Sequence, residues 1–283
     1  MTSPRHLLTA WDLKPDKNLG QNFLLQPATS AAIVHACGIS TEDTVLEIGS
    51  GLGALTLFLA KAAKAVFAVE KDLRLAALLK TELAVNHAGN VQVLETSILS
   101  LDLEALFKNS ARKIIVAGNL PYNISSQILI HLMAYRTRIK HAVVMLQKEL
   151  ALRIMEPPGS RAYGRISAML QYCADIQKVM VVRADQFFPK PQIDSLVLMI
   201  RFKNTPDVPA DSEDFLFRVI KAAFGQRRKT LKNALQNSEL HVEGVLAEKA
   251  LELSGIDPGR RAETLSVEDF VKLSNRLGQI CNP

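Results

Sequence analysis

The chain has 283 residues, 48% of them hydrophobic, with a formal net charge of +6 and an isoelectric point near 9.2. This is enough apolar material for one large core and a small second domain, and it excludes a disordered or disulfide-stapled chain; the mild basic excess favours a polyanionic partner. Cys37, Cys173 and Cys281 are far apart and match no metal-ligand spacing, no stretch approaches the roughly 20 apolar residues of a membrane span, and the start carries no apolar signal core, so the expectation is a cytoplasmic protein with no membrane association and no metal.

Lys17-Asn18-Leu19-Gly20-Gln21-Asn22-Phe23-Leu24 precedes the first predicted strand and reads as a lid over a ligand or, by pattern alone, as a capped helix start. From Thr44 onwards short β-rich runs alternate with helical patterns. Thr44–Ile48, Ala65–Glu70, Val91–Glu95, Ile114–Gly118, His141–Leu146 and Ile176–Val182 read as strands, and Ala54–Ala63, Asp72–Asn86, Ile124–Tyr135 and Arg165–Ala174 as helices between them. That alternation predicts an α/β fold with a parallel sheet and crossover helices. Ser195–Phe202 follows the Pro-rich loop Phe187–Ile193 with no helix between, which predicts an antiparallel strand at or near the sheet edge. A polar, two-proline linker over 203–212 leads into helical patterns at Glu213–Phe224, Lys229–Asn237, Val242–Ser254 and Val267–Leu277. The expected domains are therefore 1–203, holding the ligand site, and 204–283, a small all-helical unit. Most of the basic excess lies in the first; the second is near charge balance.

Val45-Leu46-Glu47-Ile48-Gly49-Ser50-Gly51-Leu52-Gly53 is an apolar strand running into a glycine turn that opens a helix. Its G-x-G-x-G spacing differs from the dinucleotide fingerprint and suits an aminoacyl-nucleoside without a pyrophosphate, the alternative being a tight turn with no ligand. Glu70 ends the next strand, where a carboxylate can accept bonds from both ribose hydroxyls, and Ser97-Ile98 after the third strand offers a polar group and an apolar side chain to an adenine ring. Asn119-Leu120-Pro121-Tyr122 closes the fourth strand. As a chemical unit it suits methyl transfer onto a planar amine: the Asn119 side-chain oxygen and the Leu120 carbonyl each accept an N–H and draw the nitrogen out of conjugation, Pro121 adds no donor and stiffens the turn, and Tyr122 stacks on the base. An ordinary strand-to-helix turn is the alternative from these four residues alone. Phe187 is the candidate for the other face of the base; the alternative is that Phe187 or Phe188 is core at the edge of the sheet, which is favoured for Phe188. Arg227-Arg228-Lys229 with Lys232, read as opening a tail helix, and Arg260-Arg261 before the last helix interrupt an otherwise acidic tail and are the candidate phosphate contacts; Arg153, Arg161 and Arg165 extend that surface.

In this order, Gly20-Gln21-Asn22-Phe23-Leu24, Leu46 to Gly53, Glu70, Asn119 to Ser125, Phe187-x-Pro189-x-Pro191-x-x-Asp194-Ser195, Ala223-Phe224-x-x-Arg227-Arg228-Lys229-Thr230-Leu231 and Arg261-Ala262-Glu263-Thr264-Leu265 resemble the motifs of the KsgA-type (RsmA) small-subunit ribosomal RNA adenine N6,N6-dimethyltransferases, nearly end to end. The resemblance implies a Rossmann-like class I methyltransferase sheet with a small C-terminal helical domain. It implies S-adenosylmethionine as methyl donor, held by Asn22, Leu24, Gly49, Gly51, Glu70, Ser97, Ile98 and Asn119, and as substrate two adjacent adenosines in the 3′-terminal hairpin loop of 16S rRNA, in a pre-ribosomal 30S particle met by a monomer. Two positions depart from the family pattern: Ser50 stands where Pro is common, and Ser97 where Asp usually accepts the adenine amine. Three rivals remain at this stage: a nucleotide-dependent oxidoreductase, which leaves Asn119–Tyr122 unexplained; a methyltransferase of the same fold acting on large-subunit rRNA or DNA adenine; and a ribosome-assembly factor that keeps the fold without catalysis.

Overall fold

A computed structural model describes residues 2–108, 110, 112–226 and 228–281. The first compact unit comprises residues 1–151 and 175–202, the second 152–174 and 203–283.

The first unit is built on a seven-stranded sheet. Its strands are β1 (Thr44–Ile48), β2 (Ala65–Glu70), β3 (Val91–Glu95), β4 (Ile114–Asn119), β5 (Ile139–Gln147), β6 (Ala174–Val182) and β7 (Ser195–Phe202), in the spatial order β3-β2-β1-β4-β5-β7-β6. β1 pairs in parallel with β2 and β4, β3 with β2 and β4 with β5, while β7 runs antiparallel to β5. β7 is thus next to the edge and β6 is the edge strand itself. The sequence explains the order of burial. Ile114, Ile115, Val116 and Ala117 of β4 and Ala142 to Leu146 of β5 are wholly buried, as unbroken apolar runs in central parallel strands must be, whereas edge strand β3 is nowhere fully buried.

Helices Thr56–Ala62, Leu73–Val85, Leu103–Lys108 and Ser125–Ala134 connect the strands. The second begins where the Asp72 side chain accepts the Arg74 backbone N–H at 3.0 Å, buries Leu75, Ala76, Leu78, Leu79 and Leu83, and ends at His87 in a left-handed conformation. Pro4–Ala10, Pro27–Ala36 and Lys148–Met155 are further helices that the strand-and-helix alternation did not reveal. Among the described residues, no helix is long and apolar enough to cross a membrane.

The second unit gathers the helices Arg165–Cys173, Glu213–Gly225, Leu231–Gln236, Gly244–Leu253 and Val267–Cys281. Tyr163, Phe224 and Phe270 form an aromatic cluster, the first two edge-on and the last two tilted, with centroids 6.0 and 5.8 Å apart. The Tyr172 hydroxyl donates to Glu213 at 3.1 Å and accepts from the Ala210 backbone N–H at 3.2 Å. The segment 152–174, assigned by sequence to the first domain, therefore groups with the tail, and Arg165–Cys173 is not a crossover helix of the sheet. Its buried face, Ile166, Ala168, Met169, Leu170 and Tyr172, belongs to the helical core.

Candidate active site

A cleft of about 1040 Å³ opens at the carboxyl ends of β1 to β4, where ligands of open α/β sheets bind. Asn22, Leu24, Gly49, Gly51, Glu70, Ser97, Ile98 and Asn119, the eight positions singled out for the methyl donor, all line it.

The glycine turn lets two backbone segments meet. Gly49 has φ +73°, and a Cβ there would stand 3.3 Å from the Asn119 carbonyl oxygen and 3.5 Å from Pro121 Cδ. At Gly118, opposite the end of β1, a Cβ would lie 2.4 Å from the Ile48 carbonyl oxygen, a distance no side chain survives. The turn after β1 and the turn after β4 are thus one wall of the cleft.

Glu70 is 8% exposed. One carboxylate oxygen accepts the Gly51 N–H at 2.8 Å and the other the Asp72 N–H at 2.9 Å. Burial pushes its carboxyl up, and those two N–H groups pull it back. Each oxygen keeps a second lone pair, so both ribose hydroxyls still have an acceptor. Glu47, the acidic residue two positions before the glycine turn and not among the eight donor positions, is wholly buried in the cleft wall with Oε2 unpartnered, and burial drives its carboxyl up to about 8. An uncompensated buried carboxyl beside a cleft favours a cationic ligand.

The segment 16–24 folds across the cleft as a lid, with a short 3₁₀ turn at Lys17–Leu19 instead of a longer helix. Asn123 Nδ2 donates to the Asn18 carbonyl at 2.8 Å, Gln21 Nε2 to Asp72 at 3.0 Å and Asn119 Nδ2 to the Asn22 carbonyl at 2.9 Å. Arg74 beside Asp72 holds that carboxyl down at about 2, so the anchor for Gln21 stays ionised.

The last of these bonds orients Asn119. A carbonyl only accepts, so the atom facing Asn22 is the amide nitrogen, and Oδ1 points the other way, buried and without a partner. Buried acceptors are nearly always satisfied, and this one waits for an N–H. The Leu120 N–H is taken by the Met145 carbonyl at 3.1 Å, and Pro121 lines the cleft.

Of the aromatic positions, Phe187 departs from the expectation. The Tyr122 ring is partly exposed but lies outside the cleft lining, with its hydroxyl 2.7 Å from Ser195 Oγ. Phe187, expected to face the base, is 2% exposed and sits in the apolar cluster with Leu24, Ile33 and Val197. Phe188, favoured for the core, is half-buried: it packs against the cluster of Leu7, Leu8 and Phe23, with the Arg5 guanidinium 4.9 Å above its ring. In the two-stranded pairing of Phe23–Leu24 with Phe187–Phe188, adjacent side chains face opposite ways, so the two rings pack against different apolar clusters.

In the helical unit, Arg227 lies outside the described residues. Arg228 and Lys229 are exposed in the turn before the helix at Leu231, whose N-cap is Thr230; they do not open that helix. The Leu231 N–H donates to the Arg260 carbonyl at 2.8 Å, which brings this turn against the 258–261 loop and the exposed Arg261. Two candidates are already engaged: Lys232 pairs with Glu248 at 2.7 Å, and Arg260 folds back onto the Thr264 hydroxyl at 3.0 Å and carbonyl at 2.5 Å. The Gly159 N–H donates to the Glu263 carbonyl at 2.7 Å, so the 156–165 loop joins the same face.

The chain is similar over nearly its whole length to known proteins. The family model described as ribosomal RNA adenine dimethylase matches residues 13–279. A curated relative from Desulforapulum autotrophicum, ribosomal RNA small subunit methyltransferase A, is 50% identical over 277 residues, 98% of this chain and 97% of its own. A crystal structure of a dimethyladenosine transferase from Plasmodium falciparum superposes with a TM-score of 0.70 at 26% identity, covering 89% of this chain and 95% of that one. The 23S rRNA methyltransferase ErmE shares the fold, with a TM-score of 0.64 at 24% identity, covering 91% of this chain and 100% of its own.

Proposed function

The chain belongs to the ribosomal RNA adenine dimethylase family, whose methyl donor is S-adenosylmethionine, and from that premise we propose that it dimethylates N6 of two adjacent adenosines in the 3′-terminal hairpin loop of small-subunit rRNA. The substrate is a pre-ribosomal 30S particle in the cytoplasm, the enzyme a monomer, and the role ribosome biogenesis. One observation carries the reading: Asn119 Oδ1, buried, partnerless and fixed in direction by the bond from its own amide to Asn22.

Glu70 would hold the ribose and Ser97 and Ile98 the adenine of the donor, the glycine turn would let it approach the backbone, and Glu47 would offer its carboxyl to the donor's positive charge. S-adenosylmethionine supplies a methyl on a positively charged sulfur that leaves as a neutral thioether. The protein's share is alignment. An unstacked adenine presents its amine to Asn119 Oδ1 and the Leu120 carbonyl; accepting both N–H bonds localises the nitrogen lone pair, so nitrogen gains the methyl and loses one proton to solvent in each round. Arg228, Lys229 and Arg261 supply the backbone-phosphate contacts, while Arg260 maintains the loop beside them and Lys232 joins two helices.

Primer extension on rRNA from cells with and without the protein tests this, since two methyl groups on N6 block base pairing. Stops at two neighbouring adenosines near the 3′ end of small-subunit rRNA, lost with the protein, are expected. Protein-dependent stops in large-subunit rRNA instead, or none, overturn it.

A further inference from the structure

The Asp194-Ser195 pair at the start of β7 is left without a task by the donor site and the phosphate surface. Its surroundings are rigid. The Asp194 carbonyl accepts the Lys148 N–H at 3.0 Å, its side chain accepts the Ala184 N–H at 3.0 Å, and Ser195 pairs in register with Gln147 at the end of β5. The Ser195 side chain is wholly buried, and its hydroxyl lies 2.7 Å from that of Tyr122, 73 residues earlier. The turn after β4 is therefore fastened to two neighbouring strands: the Leu120 N–H to Met145 of β5, and the Tyr122 hydroxyl to Ser195 of β7. The Pro121 carbonyl is tied as well, accepting the Ser125 hydroxyl at 2.8 Å.

A tyrosine used only for stacking needs no hydroxyl, since phenylalanine offers the same face. A bond at the far end of the ring does something stacking does not. With Cβ fixed by the backbone and the oxygen fixed by Ser195, the long axis of the ring is set before any base arrives, and no ordering of that side chain remains to be done on binding. The ring is partly exposed while its hydroxyl is held from the sheet side, the arrangement a stacking platform requires.

We propose that Ser195 is a positioning residue for methyl transfer: from β7 it pins the Tyr122 ring as a preset platform for the target adenine, with Asp194 anchoring the strand end. This rests on the adenine-methyltransferase reading of the cleft. Loss of either hydroxyl removes one neutral hydrogen bond and leaves the ring free to swing, for an expected loss of about fivefold to tenfold in rate.

The test compares Tyr122→Phe, Ser195→Ala and the double variant in single-turnover methylation of unmethylated small-subunit particles at saturating S-adenosylmethionine and particle, alongside calorimetric donor affinity. Both single variants and the double should fall to the same reduced rate, with donor affinity within about twofold of the parent, because one bond is lost in each case. Ser195→Ala with the parental rate, losses that multiply in the double, or a loss confined to donor affinity each overturn the assignment. A parent enzyme that leaves the particles unmethylated defeats the functional reading itself, whereas an active parent with unaffected variants defeats only the role of Ser195.

Discussion

In the cleft, the informative groups are polar atoms left unpartnered inside a buried wall, Asn119 Oδ1 and Glu47 Oε2; in the helical unit they are cations, Arg228, Lys229 and Arg261, that no ion pair among the described residues engages at the surface. The two regions call for opposite readings of the same kind of fact. A missing partner in the interior costs free energy, and where the atom lines a cleft a ligand can recover it, so there it names a specific contact. At the surface a missing partner costs nothing, and function is marked by which cations the fold has not already consumed. Substitution in the cleft should therefore change rates and affinities for one ligand, and substitution in the helical unit the salt dependence of binding to a polyanion.

The largest effect is expected at Asn119. Asn119→Ala removes the aimed acceptor and the bond to the lid together, and methyl transfer should fall by on the order of 100-fold or more, with donor affinity reduced less. Near-parental single-turnover rates would break the interior half of the comparison.

Glu47 provides a pH signature. Its folded-state pKa, about 8, lies above that of an exposed carboxyl, so the folded protein holds a proton that the unfolded chain gives up. The stability this confers is complete below the unfolded value, declines as pH rises through about 8, and is gone above it. Glu47→Gln, neutral throughout, should melt like the parent near pH 5 and progressively above it towards pH 9. S-adenosylmethionine, a cation, should narrow the gap at high pH. A gap independent of pH would show that the carboxyl is not strained by its burial.

Much of this was legible from residues alone, and the exceptions have physical causes. Strands β1 to β4 emerge within a residue because they are short β-rich runs, unbroken and apolar in central β4, and the two turns emerge because Gly, Asn and Pro are chosen there by backbone geometry. The membership of 152–174 was not legible: periodicity marks Arg165–Cys173 as a helix but says nothing about which core receives its face. The burial of Phe187 was not legible because a two-residue strand has no period from which to tell inside from outside. Arg260 and Lys232 looked like their neighbours in a charge count, and only distances to Thr264 and Glu248 separate them.

That separation is testable by salt titration. Arg228→Ala and Arg261→Ala should each lower the slope of log affinity for rRNA against log salt by about one unit. Arg260→Ala and Lys232→Ala should leave the slope nearer to the parent and act on thermal stability instead, since Arg260 holds its own loop and Lys232 joins two helices. Equal slopes for all four would erase the distinction between consumed and available charge.

The smallest effect sharpens the comparison most, because it adds a charge to the cleft instead of removing one. Ser97 lines the cleft, and its hydroxyl accepts the Leu99 backbone N–H at a long 3.3 Å, leaving it a weak acceptor for an adenine amine. Ser97→Asp supplies two oxygens and a charge-assisted bond, roughly twice as strong as a neutral one, and keeps an oxygen for Leu99. Calorimetric titration should show S-adenosylmethionine binding tightened a few-fold, offset in part by repulsion from Glu70 at the end of β2. Unchanged or weaker affinity would remove Ser97 from the donor's contacts and shift recognition of the adenine to the apolar surface of Ile98, which is 4% exposed in the same wall.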